Sequence, residues 1–195
     1  MTLILIWSVA GLSYLAFLWW YVGIKAKVNT AEVAHIRNLL SDDTHCSAEQ
    51  ISAICNFLGS DNGKDFVMVN LLELKAPIDE SRIKLKQYQK VFLGNLFKRA
   101  GHPVLFGAAA GGNIEDIGCE NLKWTGTGMV RYRSRRDLYE MMLETVGSPH
   151  HQLKLDALER TFAFPAAPWL IVGGPKLIVP LALTTTALLL HLLLG

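Results

Sequence analysis

Strand-like and helical runs alternate through residues 66–164, an uncharged apolar stretch closes off each end of the chain, and almost all the charge lies between them. Together these predict an α+β domain of ferredoxin-like β-α-β-β-α-β order, held between two apolar terminal helices. The apolar stretches are Leu3 to Ile24, and Leu177 to Leu194 with Trp169 to Gly174 leading into it. A helix of about 20 apolar residues satisfies its own backbone groups and is long enough to cross a bilayer. The first stretch ends in Trp19, Trp20 and Tyr21, rings suited to the headgroup layer, and Lys25 and Lys27 follow at once. It lacks the basic start and small-residue cleavage site of a signal peptide. Pro180 and Thr184 to Thr186 interrupt the second stretch, and His191 falls near its far end. Lys25, Lys27, Arg37, Arg160 and Lys176 all lie between the stretches, so the charge rule predicts a two-pass integral membrane protein with its central domain in the cytoplasm.

The expected division is a terminal anchor over 1–24, a helical stalk over 25–63, the α+β domain over 64–166 and a second membrane segment over 167–195. In the stalk, Val33, Ile36, Leu39 and Leu40 repeat at helical spacing, and a break falls at 41–44. Ser47 with Gln50 three residues on forms a capping-box pattern ahead of the stripe Ile51, Ile54, Phe57 and Leu58. Phe66 to Leu74 is a strand too apolar to alternate cleanly. Glu80 to Arg99 is a helix with Ile83, Tyr88, Val91, Phe92, Leu96 and Phe97 as its apolar positions. Val104 to Ala109 is a short strand running into Gly111-Gly112. In the strand Gly126 to Tyr132, Met129 and Arg131 alternate with Val130 and Tyr132. Ser134 caps a helix through Met142, Pro149 to Arg160 is helical, and Thr161 to Phe164 makes the last strand. A sheet this apolar needs a second layer beyond its helices, and a second copy of the same sheet is the simplest one, so a homo-oligomer is expected.

Four segments carry a family resemblance. They are the strand Val67 to Lys75; the helix that holds Tyr88 and ends in a turn at Gly101; the run Tyr132-Arg133-Ser134-Arg135; and Gly147-Ser148-Pro149-His150-His151-Gln152, with Arg160 downstream. In order and character they resemble the uncharacterised DUF1330 family of the dimeric α/β-barrel superfamily over about Phe66 to Phe164. Arg133 stands where that family has proline, and His150-His151 where it has Glu-Tyr. The resemblance implies a ferredoxin-like domain of dimeric α/β-barrel type. Because the superfamily mixes small monooxygenases, isomerases, haem-degrading proteins and proteins with no known reaction, it does not choose an activity.

Several patterns exclude functions. With 19 basic and 17 acidic residues and a net charge of +2, the chain offers no nucleic-acid footprint. Cys46, Cys55 and Cys119 are odd in number and widely spaced, unlike a disulfide framework or a zinc site, and Cys55 sits among apolar neighbours. Gly107 to Gly112 lacks the lysine and hydroxyl residue of a phosphate loop. No histidine has metal-ligand spacing, so neither a metal nor a cofactor is expected. The cluster Arg131, Arg133, Arg135 and Arg136 is diluted by Asp137 and Glu140 and reads as a solvated helix start rather than a headgroup site.

The polar candidates for catalysis are Asn70, Arg131 and His150. Asn70 interrupts an apolar strand and can present its amide to a pocket or tie the strand locally. Arg131 offers a planar donor fork to a carboxylate or enolate oxygen, or else an edge or interface ion pair. His150 and His151 are adjacent imidazoles, and one of them suits a general base near neutral pH, although neighbours on a helix diverge. Tyr88 and Trp124 are candidate substrate-binding walls, with core packing as the competing assignment. Two functions follow: a membrane-anchored structural or accessory subunit assembled with other membrane proteins, or a small cofactor-independent membrane-bound oxygenase or isomerase acting on an apolar or aromatic substrate.

Overall fold

The computed structural model describes residues 2–42, 45–115, 117–118, 121–169, 171 and 173–194. Cys119 lies outside them. In chain order the elements are α1 (Thr2–Val22), α2 (Thr30–Ser41), α3 (Ala48–Gly59), β1 (Phe66–Leu74), α4 (Ile78–Lys98), β2 (His102–Ala108), β3 (Gly126–Tyr132), α5 (Arg135–Thr145), α6 (Pro149–Ala157), β4 (Leu158–Ala166) and α7 (Pro175–Leu194). They form two compact units, one over Lys25–Ala167 and one from the two terminal segments.

In the larger unit the strands form one antiparallel sheet in the order β2-β3-β1-β4. The sheet is open. β2 and β4 are its edges, and β2 is marked as an edge by Pro103, which has no N–H to give to a ladder, and by an irregular register between Pro103 and Leu105. The expectation of a ferredoxin-like domain of dimeric α/β-barrel type is therefore corrected. Among the described residues the fold is α+β, with an open four-stranded antiparallel sheet and seven helices. The last strand also begins earlier than periodicity suggests. Leu158 and Arg160 pair with Leu74 and Glu73 of β1, and that pairing overrides the helical pattern that runs through Arg160.

Two apolar clusters hold this unit together. Phe66, Leu96, Val130, Tyr132 and Met141 join the sheet to α4 and α5. Ile36, Leu40, Ile51, Cys55 and Leu58 join α2 and α3 to Tyr139 on α5. Leu138 touches both clusters, so α5 is the shared wall. Both stalk helices start in capping boxes, Asn29 with Glu32 and Ser47 with Gln50.

The arginines at the start of α5 fasten these layers. Arg135 donates to the Phe57 carbonyl at 2.7 Å and to Ser60, and its guanidinium lies 4.3 Å from the Phe57 ring centre. Arg136 donates to the carbonyls of Ala26 and Lys27 and pairs with Glu32. These side chains tie α5 to the ends of α2 and α3, so the solvated helix start read from the charge pattern is corrected.

In the smaller unit α1 and α7 pair. The Trp7 indole N–H donates to His191 Nδ1 at 3.3 Å, and the Lys176 ammonium lies 6.0 Å from the Tyr21 ring centre. Pro180 is accommodated within α7. By length and composition both helices are long and apolar enough to cross a membrane.

Candidate functional site

A cavity of about 280 Å³ lies between one face of the sheet and α4, α5 and α6, with Leu40 of α2 and Ile54 of α3 also in its lining. Strand alternation decides its floor, since successive side chains point to opposite faces. Met68, Asn70 and Leu72 of β1 and Gly128, Val130 and Tyr132 of β3 line it. Asn70 stands opposite Gly128 on one side and Ala163 on the other, and Gly128 in turn stands opposite Phe106. A Cβ on Gly128 would come within 3.1 Å of the Phe106 ring, so the missing side chain lets the ring lie over the strand. Small residues on both sides of Asn70 leave space where larger ones would fill the floor.

The Asn70 amide donates from Nδ2 to the carbonyls of Gly128 at 2.9 Å and Met68 at 3.3 Å. That geometry orients the amide and leaves its oxygen as the group offered to the cavity. Tyr88 comes from α4, with its ring stacked on Phe92 at 5.5 Å. Burial pushes its phenol up to about 12, so it is protonated and able to donate. Tyr132 is pushed up further, first by burial and then by the neighbouring Tyr88. From α6 come His151 and Lys154, three residues apart and hence on one helix face. The Lys154 ammonium lies 5.9 Å from the Tyr88 ring centre, and burial lowers its pKa.

Of the residues singled out in the sequence, the structure brings Asn70 and Tyr88 together in this cavity. Arg131 alternates to the opposite side of β3. It is buried, pairs through Nε with Asp65 at 2.9 Å and donates to the Ala100 carbonyl at 2.9 Å, which fastens β3 to the end of α4. His150 is exposed, and its neighbour His151 lines the cavity, because adjacent residues diverge on α6. Trp124 is half-buried in the segment before β3 and is not part of the lining. Lys154 and Tyr132 were not singled out. The available signal for Lys154 was its i, i+3 spacing from His151, and for Tyr132 its two-residue spacing from Val130. Among the described residues no group of three or more His, Cys, Asp or Glu side chains is placed to hold a metal.

No family model matches the chain, and no curated protein matches it in sequence. Solved structures do match. A protein of unknown function from Rhodopseudomonas palustris is 18% identical over 64% of this chain and 95% of its own, with a TM-score of 0.47. A NIPSNAP-like domain protein from Burkholderia xenovorans is 12% identical over 58% of this chain and 92% of its own, at 0.40. A protein from Bacteroides thetaiotaomicron assigned as an antibiotic biosynthesis monooxygenase is 14% identical over 58% and 97%, at 0.38.

These findings correct two groups of expectations. The DUF1330 resemblance does not stand, since no family model matches and the sheet is open rather than closed. The lipid-bilayer partner, the membrane-protein partners and the two-pass location with a cytoplasmic domain do not stand either. Two such helices are weak evidence of a span, since signal sequences and the core helices of soluble proteins share that length and apolarity.

Proposed function

We propose that this chain is a small cofactor-independent oxygenase or isomerase that binds an apolar or aromatic substrate in the cavity between the sheet and α4 to α6. The supporting observation is the cavity itself: largely apolar walls, space kept by Gly128 and Ala163, and a few polar groups converging on it. An accessory subunit has no need of such a space, and a filled core would serve it better. In this proposal Asn70 and Tyr88 position the substrate, Asn70 through its amide oxygen and Tyr88 through a phenol that stays protonated. His151 is the imidazole placed to take or return a proton. Arg131 and His150, outside the cavity, have no part in the chemistry.

The test is a screen of apolar aromatic compounds by ligand-observed NMR, with oxygen uptake and product analysis on those that bind. Binding that is lost in Ala163→Leu, which fills the floor beside Asn70, and turnover reduced in Asn70→Leu and Tyr88→Phe, are the expected results. Failure of the folded wild-type chain to bind any member of the panel would refute the proposal.

A further inference from the structure

We propose that Lys154 is the anion-binding residue of this cavity, and that the substrate class is an apolar or aromatic acid whose carboxylate meets the Lys154 ammonium. This deepens the proposed function and rests on the same cavity. The titratable side chains in its lining are Tyr88 from α4, Tyr132 from β3, His151 and Lys154 from α6, and Cys46 from the segment before α3. The lining contains no carboxylate. β1, β4 and α5 contribute only uncharged side chains, including Asn70, Ala163 and Met141. Among the described residues Lys154 makes no hydrogen bond or ion pair, and its charged end has only the face of Tyr88 for company. Lys75, in contrast, donates to the carbonyl of Leu155, one residue further along α6, and so is tied into the backbone.

An ammonium partly withdrawn from water without a counter-ion is unfavourable, and two events relieve it: loss of a proton or arrival of an anion. The lowered pKa of Lys154 records the first tendency and makes the second rewarding. An incoming carboxylate would find an ammonium donor with no competing acid, and the apolar walls would strengthen the pair by excluding water. The rest of the ligand must be apolar, because Met68, Leu72, Leu85 and Phe92 form much of the remaining wall. A free inorganic anion would leave that surface uncovered.

The experiment is calorimetric titration of the full chain at neutral pH with 2-naphthoate and its uncharged methyl ester. We expect the acid to bind about tenfold or more tightly than the ester, the ratio one charge-assisted hydrogen bond supplies. The preference should vanish in Lys154→Met and persist in His150→Gln, the exposed imidazole on the same helix outside the cavity lining. Binding of the acid should also draw protons from the buffer at alkaline pH, since the carboxylate restores the ammonium. Proton uptake in the wild-type chain decides the matter if Lys154→Met does not fold, and its absence there overturns the assignment. Equal binding of acid and ester, or a preference that survives in Lys154→Met, overturns the assignment and leaves the cavity proposal standing. Binding of neither probe to the wild-type chain overturns both.

Discussion

Asp137 is the residue whose loss should cost the larger unit most per atom changed. Its side chain is 1% exposed. It accepts from Arg133 at two guanidinium nitrogens, at 3.0 and 2.8 Å, and from the Ser134 hydroxyl at 2.8 Å, with the Lys25 ammonium 3.5 Å away. Its own backbone N–H returns to the Ser134 hydroxyl, closing the first turn of α5. Asp137→Asn replaces an anion that only accepts with an amide that must aim two N–H groups among donors. The Arg133 side chain, itself 9% exposed, then faces a neutral amide in place of the carboxylate. Breaking a buried ion pair from one side costs about 3–5 kcal/mol. Lys25, about one-third exposed, adds little because solvent screens it. Burial alone would raise the Asp137 pKa, yet the hydrogen bonds from Arg133 and Ser134 hold it below the ordinary carboxylate value. A folded pKa below the unfolded one means that the stabilisation is fully present above the unfolded value of about 3.9 and is lost as pH falls through the folded one. Urea unfolding of wild type and Asp137→Asn, at neutral pH and at a series of lower values, reads both effects. The gap should be several kcal/mol at neutral pH and should narrow on acidification below about pH 4. A neutral-pH difference under about 1 kcal/mol with an unchanged denaturant slope would refute the argument.

Two further substitutions test other joints of the same unit. Gly101→Ala should destabilise by about 1–3 kcal/mol in denaturant unfolding, since a Cβ there would come within 2.5 Å of Leu96 Cδ1 and 2.8 Å of the Arg131 carbonyl, and Leu96 is fully buried with nowhere to go; a neutral effect would mean that the end of α4 can shift away from β3. Arg131→Met should lose stability by about 1–3 kcal/mol through loss of its charge-assisted bonds to Asp65 and the Ala100 carbonyl, while the fraction that remains folded keeps its affinity for cavity ligands; a variant of full stability that loses binding would return Arg131 to the site.

The parts of this fold that were legible in the sequence are those fixed by local chemistry. The apolar run at Phe66 to Leu74 and the alternation at Gly126 to Tyr132 mark β1 and β3, and Ser47 with Gln50 marks the start of α3. What escaped depends on residues distant in sequence. Whether a sheet closes is decided by what its edge strands meet, and nothing local to β2 or β4 states it. Arg135 and Arg136 look like solvent-facing charges because their partners are mostly backbone carbonyls of remote helix ends, which carry no sequence signal. For the site, Asn70 stood out as a polar break in an apolar strand. The histidine pair stood out too, but choosing His151 over His150 needed the phase of α6 against the sheet. Lys154 was passed over because lysine is ordinarily a surface residue.

The way charge is used in the larger unit separates architecture from site. Arg131 is spent on Asp65 and a carbonyl, Arg133 on Asp137, Arg135 on Phe57 and Ser60, and Arg136 on Glu32 and the chain before α2. Each joins two elements and leaves little for a ligand. The cavity follows the opposite rule. Asn70 has its N–H groups committed to the sheet and its oxygen left over, the Tyr88 phenol is held protonated, and Lys154 has an aromatic face in place of a carboxylate. A space maintained by Gly128 and Ala163 sacrifices packing, and an unpaired ammonium beside it sacrifices solvation. Both costs fall on the same few residues, and one apolar ligand with one anionic group would relieve both.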